Sequence, residues 1–365
     1  MNVCIIGDGL TSLSLAKNLI NKKINVHVYG EKKKIISLNR TIGISNNNFK
    51  FFKKEIQDIK KKDIWKIKKI EIFSEKLNND KIIKFENNYN NNLFVMVKND
   101  SLYESLSKNL IKSKFYKNKI IQGIDFYQKL LRENKYDLII NCLPKNFIAK
   151  KYFFKTIDKN YNNLAYTTII KHEIIENHTA IQIFTKYGPI AFLPISDTET
   201  SVVYSFDINK YRYDNKKVID LIKKYNPKFI IKKIYKLDQF ELKLSNLRDY
   251  HYKNIIAFGD CLHKIHPLAG QGFNMTIRDI KVLSTIIQNK LNLGMQLDSS
   301  ILKEFENKTK HTNFIFSNGI DSIYELFNLD KKIKNENLNK IIKFLGKNNR
   351  LNNILIKYAD NGLNI

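Results

Sequence analysis

Val3-Cys4-Ile5-Ile6-Gly7-Asp8-Gly9-Leu10-Thr11-Ser12 is the stretch that decides the fold. Its first four residues are wholly apolar, as a strand buried on both faces of a parallel sheet reads. Two glycines then permit a tight turn, and Leu13, Leu15, Ala16, Leu19 and Ile20 recur at helical spacing. Asn21-Lys22-Lys23 breaks that pattern, and Ile24, Val26 and Val28 alternate as a second strand. Strand, glycine turn, helix and strand make a βαβ unit and predict an α/β fold with a parallel sheet. Glycines at such a turn let the backbone approach a pyrophosphate, and the helix start offers N–H groups to it. Gly7 and Gly9 are candidates for that contact. Ser12 stands where a third glycine would serve close helix–strand packing, and serine is among the smallest substitutes. An acid at the end of the second strand ordinarily holds ribose hydroxyls. That register falls on Gly30, so either Glu31 takes the role after a one-residue slip or the acid is missing.

Beyond this unit, residues 40–66 read as a loop and a polar amphipathic helix. Ile67 to Phe73 alternates as a strand, with Lys81 to Phe85 as its hairpin mate. Leu93 to Val97 is apolar again, Leu102 to Leu110 is helical in period, and Tyr136 to Cys142 is a further buried strand. From 164 to 245 the character changes to short runs divided by turn residues, which predicts a mostly antiparallel sheet. Asn254 to Phe258 resumes the parallel sheet, Gly272 to Lys290 reads as a helix, and the chain from Ser299 onward reads as helical. The expected division is a discontinuous first domain (1–66, 93–163 and 246–290), a second sheet domain (67–92 and 164–245), and a helical region (291–365).

Lys and Arg number 63 against 35 Asp and Glu among 365 residues, a net charge of +28. That charge favours anionic partners, either nucleic acid or a membrane surface. Abundant Lys, Asn and Ile with a single Trp also fit compositional bias. No nucleic-acid reading motif accompanies the charge, so no nucleic-acid partner is expected. Cys4, Cys142 and Cys261 are far apart in sequence, which suits a reducing compartment. No run reaches the ~18 apolar residues of a membrane span, and the first residues lack a signal-peptide pattern. The expectation is a cytoplasmic protein with peripheral contact at the inner membrane surface.

A second motif is richer in chemistry. Asn254-Ile255-Ile256-Ala257-Phe258-Gly259-Asp260 ends a strand, and Cys261-Leu262-His263-Lys264-Ile265-His266-Pro267-Leu268-Ala269-Gly270-Gln271-Gly272-Phe273-Asn274 leads into a helix. Asp260 at a strand end can accept hydrogen bonds from sugar or ribityl hydroxyls. Pro267 offers a rigid apolar surface for a flat ring. Gly270-Gln271-Gly272 exposes backbone N–H groups at a helix start, where partial positive charge stabilises an anion. His263 and His266 share a spacing that suits one helix face, but no third ligand is near, and no metal is expected.

Gly259-Asp260 with His266-Pro267-Leu268-Ala269-Gly270-Gln271-Gly272-Phe273-Asn274 and Arg278-Asp279 resembles the flavin signature of the ubiquinone-biosynthesis hydroxylases. These are FAD-dependent aromatic-ring monooxygenases with the p-hydroxybenzoate hydroxylase fold. Arg40-Thr41-Ile42-Gly43-Ile44-Ser45 is similar to the family's arginine-led segment near the flavin. Gly188-Pro189-Ile190-Ala191-Phe192-Leu193-Pro194, with Thr179-Ala180 and Phe184 upstream, is similar to its substrate-sheet segment. The resemblance implies a Rossmann-like parallel FAD-binding sheet, an antiparallel substrate-binding sheet and C-terminal helices. It implies FAD held by Gly7, Gly9, Ser12, Glu31, Arg40, Asp260, Pro267, Gly270, Gln271, Gly272 and Asn274, with Phe192, Leu193 and Pro194 walling the substrate. The implied reaction is ring hydroxylation of a polyprenylated phenol with O2, beside other quinone-biosynthesis proteins. Oxygen activation belongs to the reduced flavin, so no side chain is assigned a catalytic role. One departure stands out. The family carries an Asp-Gly pair after an apolar strand, where this chain has Asn141-Cys142-Leu143-Pro144. That leaves the electron donor open between NAD(P)H and a separate reductase. It also keeps in view a non-catalytic flavin-binding subunit, or a related hydroxylase or prenyl reductase.

Overall fold

The structure is a computed structural model that describes residues 1–31, 40–75, 81–86, 92–211, 214–265 and 270–332. The opening βαβ unit is β1 (Asn2–Ile6), α1 (Leu10–Asn21) and β2 (Asn25–Gly30). The polar segment expected as loop and helix contains β3 (Thr41–Ser45), α2 (Asn46–Phe51) and β4 (Ile64–Ile67). Next come β5 (Lys69–Ser74), β6 (Lys81–Glu86), β7 (Phe94–Lys98), α3 (Asn99–Ile111), β8 (Tyr116–Ile120), α4 (Asp125–Arg132), β9 (Leu138–Asn141) and α5 (Phe147–Tyr152). The long strand β10 (Thr156–His172) opens the second half. It is followed by β11 (Thr179–Phe184), β12 (Pro189–Pro194), β13 (Glu199–Asp207), α6 (Asn215–Lys224), β14 (Ile231–Ile234) and β15 (Asp238–Leu247). The last elements are β16 (His251–Tyr252), β17 (Ile255–Ala257), β18 (His263–Lys264), α7 (Gln271–Asn292) and α8 (Ser299–Lys332).

Among the described residues the strands form three sheets. The first runs β16-β17-β9-β1-β2-β8, parallel throughout except for the β16 edge. Its central strands are buried on both faces, which is why they read as unbroken apolar runs. The second runs β18-β15-β10-β13-β12-β11-β5-β6, with β14 also on β10. It is antiparallel except where β11 meets β5. β10 already begins at Thr156 and β15 runs to Leu247, so this sheet extends past both expected limits, 164 and 245. The third, β3-β7-β4, lies between the other two in the chain's packing. Ile67 and Met96 from it are buried with Ala180 of the second sheet, and Leu193 packs on that cluster.

Alternation along the second sheet sorts its two faces. Ile190, Phe192, Val202, Tyr204 and Phe206 form a core with Val218, Leu221 and Ile222 of α6. The residues between them face the other way. Among the described residues no helix is long and apolar enough to cross a membrane.

Helix α8 docks on the parallel sheet through Ile301, Leu302 and Phe305, with Phe305 5.7 Å from the Phe258 ring. At the next residue, Glu306 Oε2 accepts the Tyr250 N–H at 3.1 Å and lies 2.8 Å from His251 Nδ1, while Lys310 Nζ donates to Oε1 at 2.8 Å. Burial works against the Glu306 charge, but these hydrogen bonds outweigh it and hold its carboxyl below the ordinary value of 4.5. A lowered folded value means stability that is present at neutral pH and lost as pH falls through that value. Glu306→Gln is therefore expected to be less stable than the native chain at pH 7, with the gap closing below about pH 4.5. Urea titrations at both pH values check this, and a gap independent of pH would contradict it.

Candidate active site

In the first sheet the chain leaves β1 toward β2, while β9 and β17 lie on the other side of β1. Ligands of open parallel sheets bind at such a reversal, beyond the carboxyl ends of the strands. Three loops meet there. Gly7 turns at φ +110°, and Gly9 is the N-cap of α1, where an added β-carbon would enter open space. The first-turn N–H groups of α1 have no acceptors within the helix, and the first turn itself carries no acidic residue. From β17, Gly259 adopts φ +59°, and a β-carbon on it would lie 2.6 Å from Thr11 Cγ2. Only glycine turns this closely against α1, and the turn presents Asp260 exposed at the strand's end. From β9, Leu143 packs on Gly7. Asn141 donates to the Leu143 carbonyl at 3.1 Å and accepts from the Asn146 amide at 2.6 Å.

Ser12 is buried with its hydroxyl 3.3 Å from where a Gly7 β-carbon would stand. It fills the slot of the third glycine, between helix and strand, and faces the Cys142 thiol. Burial pushes that thiol up to about 12 against the Ser12 hydroxyl, which acts to lower it. Ser12 thus packs between α1 and β1 at the turn.

The second glycine-rich segment starts α7. Gly270 is its N-cap in the left-handed region, and a β-carbon on it would lie 3.8 Å from the Gly43 backbone N of β3. The sequence pairs these segments through Asn274, which is 1% exposed. Its Oδ1 accepts the Ser45 N–H at 2.8 Å and the Asn48 amide at 3.0 Å. Its Nδ2 donates to the Gly43 carbonyl at 2.8 Å and the Gly270 carbonyl at 3.3 Å. All its capacity is used on the protein, so Asn274 is a positioning residue that fixes the loop against β3. Gln271 is buried, and its Oε1 meets no donor among the described residues. A polar group in that state fits a loop built to meet a polar ring system. Pro267 and His266 lie outside the described residues.

Arg40, at the entry to β3, is exposed and stacks its guanidinium on Phe240 of β15, 4.7 Å from the ring centroid. Next to it, Thr41 Oγ1 donates to Ser201 Oγ of β13 at 2.9 Å. Lys98 of β7 pairs with Glu199 at 2.8 Å. These contacts turn the face of the second sheet opposite α6 toward β3 and the α7 start. Register puts Gln182, Ala191, Val203 and Thr167 in one row of that face, and Ser205, Ala165 and Phe240 in the next. Most are small. Leu193 shares the face, whereas Phe192 and Pro194 have the opposite parity, and Phe192 is sealed in the α6 core. Glu31 is exposed just past β2.

Sequence reasoning missed the tie at His263. Its Nε2 lies 2.6 Å from Asp279 Oδ2, both side chains at most 2% exposed, and Asn313 Nδ2 donates to Asp279 Oδ1 at 3.0 Å. β18 and α7, which flank the glycine loop, are joined there to each other and to α8. The i, i+16 spacing carries no periodic signal.

A glycine turn at a strand-order reversal, a second glycine-rich helix start and an inserted antiparallel sheet define a dinucleotide-binding fold of the flavin monooxygenase kind. The squalene epoxidase family model matches residues 165–358, more than half of the chain, and the chain belongs to that family. It is 26% identical over 241 residues to the ubiquinone biosynthesis monooxygenase COQ6 of Dictyostelium discoideum, covering 52% of this chain and 49% of that protein. It is 30% identical over 160 residues to the 3-demethoxyubiquinol 3-hydroxylase of Escherichia coli, covering 40% of this chain and 39% of that one. The chain spans about half the length of the curated relatives it matches, or less. Among solved structures, p-nitrophenol 4-monooxygenase PnpA of Pseudomonas putida superposes with a TM-score of 0.76 at 12% identity, covering 100% of this chain and 98% of that one. Klebsiella pneumoniae HpxO, complexed with FAD and uric acid, gives 0.73 at 12%, covering 100% and 97%. These likenesses show the fold, and it is the one expected from the sequence.

Proposed function

We propose that the chain is a FAD-dependent monooxygenase that hydroxylates the aromatic ring of a polyprenylated phenol in ubiquinone biosynthesis. The observation that carries this reading is the Asn274 tie, which holds Gly270-Gln271-Gly272 against β3 beside the small-residue face of the second sheet. A flat ring held by that loop faces a shallow wall of Ala191, Val203 and Thr167. FAD, when bound and reduced, supplies electrons and activates O2. Gly7, Gly9 and the α1 start would hold its pyrophosphate, Asp260 its ribityl hydroxyls, and Gln271 with the α7 N–H groups its ring. The protein's own part is orientation and exclusion of water at the ring. The relatives named for ubiquinone biosynthesis support the substrate class. Asn141-Cys142-Leu143-Pro144, standing where the resembling family has its Asp-Gly pair, leaves the electron donor as either NAD(P)H or a separate reductase. A lipid-soluble substrate gives the net charge of +28 a use at an anionic membrane surface.

Two measurements test the reading: FAD titration of the purified chain, and the quinone-intermediate profile of a deletion strain. A profile without an accumulated under-hydroxylated polyprenyl phenol refutes the hydroxylase assignment. Asp260→Ala removes a charge-assisted hydrogen bond, worth about 1.5–3 kcal/mol. FAD affinity is expected to fall about ten- to a hundredfold with the fold retained. Native affinity in that variant would take Asp260 out of the site.

A further inference from the structure

We propose that Asp8 supplies the carboxylate that holds the adenosine ribose of FAD, in place of the acid that a doubly wound sheet ordinarily carries at the end of its second strand. This rests on the flavoprotein reading above. The second strand ends at Gly30, which has no side chain to offer. The space a side chain would occupy there is filled from the neighbouring loop. A β-carbon on residue 30 would lie 2.7 Å from Asp8 Cγ and 3.0 Å from Asp8 Cβ, with Oδ2 nearer still. The Asp8 carboxyl group therefore lies over the Gly30 α-carbon, at the root of the path that an acid from position 30 would follow. Glycine at 30 and acid at 8 are two halves of one arrangement, because any larger residue at 30 expels the Asp8 side chain.

The surroundings suit the role. Asp8 stands between the two turn glycines, one residue before the N-cap of α1. The positive end of that helix offsets the repulsion between its carboxylate and a neighbouring pyrophosphate. β1 and β2 are paired up to Ile6 and Tyr29, and the Gly7 N–H continues the ladder to the Tyr29 carbonyl at 2.7 Å. The loop is thus fixed to the end of β2, so Asp8 is held at this end rather than swinging free. Glu31, the other acid nearby, is exposed beyond the strand.

The test is FAD titration of the full chain, followed by flavin fluorescence, with thermal melting of the ligand-free protein alongside. Asp8→Asn is expected to raise the FAD Kd about ten- to a hundredfold, the range of a lost charge-assisted hydrogen bond, with the ligand-free protein still cooperatively folded. Gly30→Glu alone is expected to bind FAD poorly, because both side chains compete for one space. Asp8→Gly combined with Gly30→Glu, which moves the acid to the strand, is expected to recover most of the native affinity. Native affinity in Asp8→Asn overturns the assignment. So does a lowered ligand-free melting temperature with no recovery in the double variant, which would make Asp8 a structural residue of the turn. A loss in Glu31→Gln as large as that in Asp8→Asn returns the role to Glu31. Failure of the native chain itself to bind FAD overturns the flavoprotein reading and this assignment together, whereas the other failures overturn this assignment alone.

Discussion

His263→Ala is expected to lower the unfolding free energy by about 1–3 kcal/mol, the range found when a buried polar group loses its hydrogen-bond partner. His263 and Asp279 are both almost fully buried, with 2.6 Å between Nε2 and Oδ2. Deleting the ring leaves Oδ2 in a dry interior with only the Asn313 amide bonded to the opposite oxygen. The loss has two further consequences. It frees β18, the short strand ahead of the glycine loop, from α7, the helix behind it. It also loosens α8, because Asn313 bonds to the same carboxylate. FAD affinity is therefore expected to fall together with stability, although neither residue is assigned to the cofactor. A double variant, His263→Leu with Asp279→Leu, should be less damaging than His263→Ala, since no carboxylate is stranded. Urea denaturation of the three proteins decides it. A His263→Ala loss below about 1 kcal/mol, the scale of an ordinary exposed pair, would mean that water reaches Asp279.

The parts of this fold that could be read from sequence are those whose signal is local. β1, β9 and β17 are buried on both faces and appear as apolar runs, and α7 has a clear helical period. The glycine motifs were legible because their geometry is a backbone property of a few consecutive residues. β3 was not, because Thr41-Ile42-Gly43-Ile44-Ser45 is short, contains a glycine and becomes a strand only by pairing with β7. β8 was hidden for a similar reason. Tyr116-Lys117-Asn118-Lys119-Ile120 is a polar edge strand, stabilised by its register with β2 rather than by its own pattern. At the site, Asn274 stood inside a recognisable motif, but its role depends on partners at 43, 45 and 48. Resemblance pointed to residues 192–194 as a wall. The pleat sends neighbouring side chains to opposite faces, so a contiguous run cannot line one wall. The residues that share the Leu193 face come from five strands, β10 to β13 and β15.

That face sets up the second large effect. Val203→Trp is expected to reduce hydroxylation of a short-chain polyprenyl phenol at least about a hundredfold, the cost of displacing a reacting group by roughly 1 Å. FAD affinity should remain within about threefold of native. Val203 is half-buried, with Ala191 beside it on β12 and Thr167 beside it on β10. These side chains are small, and on the proposed reading an indole there would take up substrate space without touching the glycine loops of the first sheet. The neighbouring position gives an internal comparison. Val202 is one residue away but points into the α6 core with Phe192 and Tyr204. Val202→Trp overpacks that core, at a cost of about 1–3 kcal/mol, and should slow turnover only as far as it unfolds the protein. The two variants carry the same chemical change at adjacent residues, so a difference between them reads the face and not the substitution. Stability lost in one and turnover lost in the other would identify the open face as the substrate wall. Native turnover in Val203→Trp would place the substrate elsewhere and leave the small residues of that face as packing alone.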